Sequence, residues 1–207
     1  MTRLAGSSTA LLIATVVAGC SPAPVSPLPP SPTSTRTIGL TTRVPPYAGV
    51  PAVRDPLPVT AVSGSPCTTA LTPGQVRQAL GVETAGKVDR AESPGPTCLW
   101  ENPVTGMITR GACATKHRHG LSAVYPSRSA GEGWMWREQR VAGFPAVATT
   151  SEQRSFCTVT IGLADDVAVE VSMAARDGDD VEGGDMCTLT GQTAELVVPT
   201  VRTRADR

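Results

Sequence analysis

The sequence predicts an α+β domain, an antiparallel β-sheet flanked by an N-terminal and a C-terminal helix and stapled by disulfides. Three observations carry this. Residues 71–81 hold a full set of helix start and stop signals. Residues 157–173 hold two runs of period two separated by a short polar break. Cysteines fall in or beside these elements.

The first helix is read from its ends. Thr72 is an N-cap, Pro73 occupies the first helical position, and Gln75 completes a capping box. Leu71 can staple onto Val76, Leu80 continues the apolar side, and Gly81 supplies the stop. A helix over residues 73–80 follows. The second helix starts at Asp185, a good N-cap. Cys187, Ala194, Val197 and Val198 then recur at helical spacing, Thr190 and Gly191 weaken the middle, and Pro199 is expected to end or kink it.

Between the helices the pattern is that of strands. Cys157, Val159, Ile161 and Leu163 alternate with Phe156, Thr158, Thr160 and Gly162. Val167, Val169, Val171 and Met173 alternate with Ala168, Glu170 and Ser172. Ala164-Asp165-Asp166 separates the runs, so they read as a hairpin with one buried face. Earlier candidates are Lys87 to Glu92, Thr97 to Glu101, Met107 to Thr115 and Met135 to Thr149. In the last, Gly143 and Pro145 are read as a bulge or corner.

The chain outside this domain is of two kinds. Arg3 precedes the apolar run Ala10 to Ala18, which at about 1.5 Å per residue spans far less than a bilayer core of about 30 Å. The run therefore reads as a signal peptide over residues 1–19 rather than a transmembrane helix. Val17-Ala18-Gly19-Cys20 resembles a bacterial lipobox, which makes Cys20 the expected lipid attachment site. Two or three acyl chains there would give stable anchoring to the outer face of the cell membrane. Residues 20–63 read as a proline-rich disordered tether. Residues 21–66 hold twelve of the 19 prolines, with no periodicity to drive folding. The folded domain is expected over residues 64–201, and 202–207 as a disordered tail.

Cys20 being taken by lipid, five cysteines remain, and the exported setting permits disulfides. Topology narrows the pairings. Cys157 is in phase with Val159 and Ile161, and Cys187 lies in the first turn of the last helix, so pairing them pins that helix to the sheet. Cys67 precedes the first helix and Cys98 shares a strand face with Trp100, so pairing these pins the other helix. Each bridge is worth roughly 3.7 kcal/mol in the chain-entropy model. Cys113 is left over and reads as a buried hydrophobe in a strand.

Composition excludes some functions. With 18 basic and 18 acidic residues the chain has no charge excess to grip a phosphate backbone, so nucleic acid is not an expected partner. Lys116-His117-Arg118-His119 holds both histidines; on a strand they would point one way, but a solvated turn before Gly120 is the simpler reading. Asp177, Asp179, Asp180, Glu182 and Asp185 do not follow the spacing of a calcium loop. No metal site, cofactor or catalytic residue is expected. An envelope-polymer hydrolase or transferase would have to work through His117 or His119. Trp134 and Trp136, two apart, share one strand face. Turned outward, they would form a platform for a ring or an apolar side chain, with Arg137 and Arg140 to hold an anionic group.

One set of strings also resembles a known family. Pro66-Cys67, Leu71-Thr72-Pro73, Ala79-Leu80-Gly81, Cys98-Leu99-Trp100, Val141 to Ala146, Cys157-Thr158-Val159 and Asp185-Met186-Cys187 occur in an order and spacing similar to that of the actinobacterial exported lipoproteins of the domain of unknown function 3558 family. The resemblance covers most of residues 66–200 together with the lipobox and tether. It supports the four paired cysteines and implies no activity. Thr188 to Thr193 depart from the alanine-rich last helix of the pattern, and Cys113 is an addition. The expectation is a lipid-anchored, non-enzymatic envelope module that binds an envelope protein or a small ligand.

Overall fold

The computed structural model describes residues 43–89, 95–129, 134–151, 155–175 and 185–206. The residues read as a signal peptide, Cys20, the first half of the segment read as a tether, and Asp177, Asp179, Asp180 and Glu182 lie outside the described residues. No helix among the described residues is long and apolar enough to cross a membrane.

Seven strands among the described residues form one antiparallel sheet. They are β1 (Lys87–Asp89), β2 (Thr97–Glu101), β3 (Ile108–Ala114), β4 (Trp134–Val141), β5 (Phe144–Ser151), β6 (Phe156–Ala164) and β7 (Val167–Ala174). Their spatial order is β1-β2-β3-β7-β6-β5-β4. Three helices, α1 (Pro66–Thr69), α2 (Pro73–Leu80) and α3 (Met186–Ala205), join them. The α+β class and the antiparallel sheet are as the sequence predicts.

The helix ends behave as their residues dictate. Gln75 N–H donates to Thr72 Oγ1 and Thr72 N–H donates to Gln75 Oε1, which closes the capping box of α2. Gly81 ends the helix in the left-handed region, with φ of 73°. The Gln75 amide also donates to the Leu196 carbonyl at 2.7 Å, tying α2 to α3. Asp185 caps α3 by accepting from Cys187 N–H.

Pro199 does not end α3, which continues to Ala205. A proline inside a helix costs about 3 kcal/mol, and the turns beyond it are held by tertiary contacts. Val201 is fully buried, and Arg204 donates to the carbonyls of Ala61 and Ser63. Residues 202–205 are thus part of the helix rather than a tail.

The folded unit also begins earlier than Gly64. Tyr47 N–H donates to Ser122 Oγ, Val53 N–H to Asp165 Oδ1 and Leu57 N–H to the Leu163 carbonyl. A 3-10 turn, Val59–Val62, buries Ala61 and Val62 in the main core. The later prolines of the tether therefore belong to a strap across the domain. Proline richness marked a lack of regular structure but did not preclude packing.

The segment 135–149 holds two strands, not one bent strand. Val141 and Phe144 pair across the two-residue turn Ala142-Gly143, and both turn residues have positive φ, 47° and 90°. That twist suits a tight hairpin. Pro145 lies just before the β5–β6 ladder, which starts at Ala146, so its missing N–H breaks no ladder bond there. α3 grips the turn: Ala142 N–H donates to Glu195 Oε1, and Arg202 donates to the Ala142 carbonyl while its guanidinium lies 5.0 Å from the centre of the Phe144 ring.

The main core lies between the sheet and its helices. Cys157, Val159, Ile161, Val171 and Met173 face α3, while Cys98 and Trp100 face α1. Cys67–Cys98 and Cys157–Cys187 are disulfides with Cα separations of 4.9 and 5.0 Å. They pin the two ends of the helical layer to the sheet. Among the described residues Cys113 is the free cysteine and is buried, with a thiol pKa raised by desolvation to about 11 and partly opposed by Arg204. It packs as a hydrophobe in β3.

The expected single buried face is half right. One end of the opposite face is also covered, by two 3-10 turns, Gly120–Ala123 and Tyr125–Ser129. Leu121, Tyr125 and Val147 form a second small core there. Glycines permit the approach. A Cβ on Gly162 would meet the Leu121 side chain at 2.9 Å, and one on Gly120 would strike the Asp165 carbonyl oxygen at 2.2 Å.

Candidate functional site

Beside this second core, the outer face of β4 to β7 forms an open groove of about 490 Å³. Its floor follows from the register. Trp136 pairs with Thr149, Thr149 with Thr158, and Thr160 with Glu170. Because alternate residues of a strand share a face, Phe156, Thr158 and Thr160 line the groove from β6 and Glu170 lines it from β7.

The walls are aromatic on one side and irregular on the other. Trp134 is 56% exposed, and its ring meets Phe156 edge to face with centroids 5.9 Å apart. Trp136 is half-buried and meets Tyr125 edge to face at 5.3 Å. Val124, Ser127 and Arg128 complete the far side. Arg128 is tied to Glu138 at 3.3 Å, and Glu138 also accepts from the Trp136 indole N–H.

Electrostatically the groove has one unusual member. Glu170 is partly buried, and burial raises its carboxyl pKa above the ordinary value. It has no hydrogen bond or ion pair among the described residues. Tyr125 is also shifted upward, by burial and then by Glu138, with Arg128 opposing.

The sequence-derived site residues are placed as follows. Trp134 and Trp136 do share one face, and it is the outer one. Arg137 points to the other face, where it lines a small recess with Met135, Asp185 and Cys187. Arg140 lies at the hairpin end and donates to the Gly143 carbonyl. The two arginines therefore do not join the tryptophans in holding an anion. Strand alternation separates Arg137 from them, and the turn occupies Arg140.

His117 and His119 lie in the loop after β3 rather than on a strand, with rings stacked at 6.1 Å. Tyr47 meets His119 edge to face at 5.9 Å. Neither histidine lines the groove. Among the described residues no group of three or more His, Cys, Asp or Glu side chains is arranged to hold a metal ion.

Sequence reasoning missed Glu170 and Tyr125. Glu170 reads as an ordinary solvent-facing residue of an amphipathic strand. The available signal was its company: Ala168, Ser172, Thr158 and Thr160 are small and uncharged, unusual for a face left to water.

No curated protein and no solved structure matches the chain. A family model described as protein of unknown function (DUF3558) matches residues 15–200, and the chain belongs to that family.

Proposed function

We propose that this chain is a lipid-anchored, extracytoplasmic binding module of the cell envelope that performs no catalysis of its own. Anchoring is through Cys20, and the proline-rich segment after it spaces the domain from the membrane. At about 3.1 Å per residue, a dozen residues of extended tether provide roughly 35 Å. The family match begins at residue 15, so this cysteine and the whole tether fall inside it.

The observation that carries the binding role is the groove bounded by Trp134, Trp136 and Phe156 on the one sheet face the helices leave uncovered. Its volume falls in the range of about 300–1,000 Å³ common for small-ligand sites. Aromatic walls with a few convergent polar groups suit an orienting, reversible contact. The occupant is a small envelope ligand or a side chain of an envelope protein.

The test has two parts. Mass analysis of the N-terminal peptide of the protein from its native membrane should show diacylglycerol on Cys20, and Cys20→Ala should release the protein from the membrane. A native mass spectrum of the mature chain secreted by an actinobacterial host should show an added non-covalent mass. Trp134→Ala with Trp136→Ala should remove that mass and leave the domain folded. A protein that stays membrane-bound without Cys20, or an added mass indifferent to both tryptophans, contradicts the reading.

A further inference from the structure

We infer that the groove recognises a small organic cation carrying a primary ammonium group, which Glu170 holds from the floor while the indole rings of Trp134 and Trp136 flank the ligand's body. The inference rests on the binding-module reading and names the ligand class for the same site.

Charge is the first argument. Two charged residues line the groove, Arg128 and Glu170. Arg128 is already paired with Glu138, whereas Glu170 has no partner among the described residues. A partly buried carboxylate without a counter-ion is destabilised relative to one in open water. Burial is the cause of its raised pKa. Arg110, the cationic residue of the adjacent strand β3, pairs with Ser172 two residues along from the Ala112–Glu170 pair and is exposed. It does not line the groove. A ligand cation would supply the missing charge.

The lining is the second argument. Indole faces attract cations, by about 0.5–1 kcal/mol when exposed and about 2 or more when desolvated. Trp134 and Trp136 stand on the groove's wall beside Phe156. Thr149, Thr158 and Thr160, each carrying a hydroxyl, also line it. A primary ammonium has three N–H donors, one for a carboxylate and two for hydroxyl oxygens. The hydroxyls therefore favour a primary amine over a quaternary one, and the groove's size favours a small molecule over a protein segment.

The test titrates the full mature chain, labelled with 15N at tryptophan, with benzylamine and with benzyl alcohol. The three indole N–H signals are separate reporters, and Trp100, buried in the helix-covered core, is the internal control. Benzylamine should move the Trp134 and Trp136 signals and leave Trp100 still. Benzyl alcohol should bind about tenfold more weakly, the effect of losing one charge-assisted contact. Glu170→Gln should bind benzylamine no better than benzyl alcohol, while its Trp100 signal and both disulfides stay intact.

Equal binding of the two probes by the wild type would overturn the cation assignment and leave the groove a binding site. No movement of either wall tryptophan with either probe would also overturn it; the binding module would then stand or fall on the native mass spectrum. Binding of a lysine-containing peptide without binding of benzylamine would reassign the groove to a protein partner and overturn the small-molecule assignment.

Discussion

On the face covered by α1, α2 and α3, Val159, Ile161 and Val171 are wholly buried, and a disulfide closes each end of the layer. The outer face of the same strands presents Thr158, Thr160, Glu170 and Ser172, covered at one end only. One strand therefore serves two requirements through its period of two. The inward residues are chosen for packing, where a lost methylene costs about 0.8 kcal/mol. The outward residues leave relief for a groove. The contrast teaches that close packing and open relief lie on opposite sides of β6 and β7, so that under the proposed binding role stability and recognition can each be perturbed with limited effect on the other.

The largest expected effect comes from the covered face. Replacing Cys157 and Cys187 by serine should cost about 2–5 kcal/mol, from the loss of the loop constraint. Urea denaturation would show it as a lower midpoint. A variant as stable as the parent would mean that the bridge does not carry the helical layer.

Next, Ile161→Ala should cost about 2–5 kcal/mol, since the site is fully buried and closely packed. Thr158→Ala, three residues away on the outer face, should change stability by no more than about 0.5 kcal/mol. Comparable losses at the two positions would erase the distinction between the faces.

A smaller effect is expected at the hairpin tip. Glu195→Ala removes the acceptor for Ala142 N–H and should cost about 0.5–1.5 kcal/mol. Hydrogen exchange at Ala142 should accelerate while exchange in β6 stays unchanged.

The smallest expected effect has a sign of its own. Burial disfavours the charged form of Glu170, so its folded pKa lies above its unfolded value near 4.5. The stability this gives is fully present below the unfolded pKa and is lost as pH rises through the folded pKa. Relative to the wild type, Glu170→Gln should therefore gain stability as pH rises from about 4.5, and the gain should level off above the folded pKa. Thermal unfolding across that range would check it, and a difference independent of pH would remove Glu170 as a strained carboxylate.

Much of the covered face was legible in the sequence because it rests on local rules. Thr72, Pro73 and Gln75 announce α2, and the alternation from Cys157 to Met173 announces a hairpin and its inward side. The disulfide pairs follow from which elements must be pinned together. What escaped depends on contacts distant in sequence. Pro199 stays helical because Val201 and Arg204 are held by the sheet and by residues 61–63. Residues 47–57 pack because Ser122, Leu163 and Asp165 offer them partners. The groove was legible only through Trp134 and Trp136. Its floor arises from the pairing of β5, β6 and β7, and Glu170 becomes unusual only when that pairing and the 3-10 turns beside it reduce its access to water.

The most direct measurement compares tryptophans on the two faces. Trp100 is 2% exposed on the covered face, and Trp134 is 56% exposed on the outer one. Under urea denaturation Trp100→Ala should lose about 3–5 kcal/mol, whereas Trp134→Ala should lose less than about 1 kcal/mol and still give up the bound mass. Equal losses of stability, or retention of the ligand by Trp134→Ala, would contradict the division of the sheet into a face that holds the fold and a face that holds a ligand.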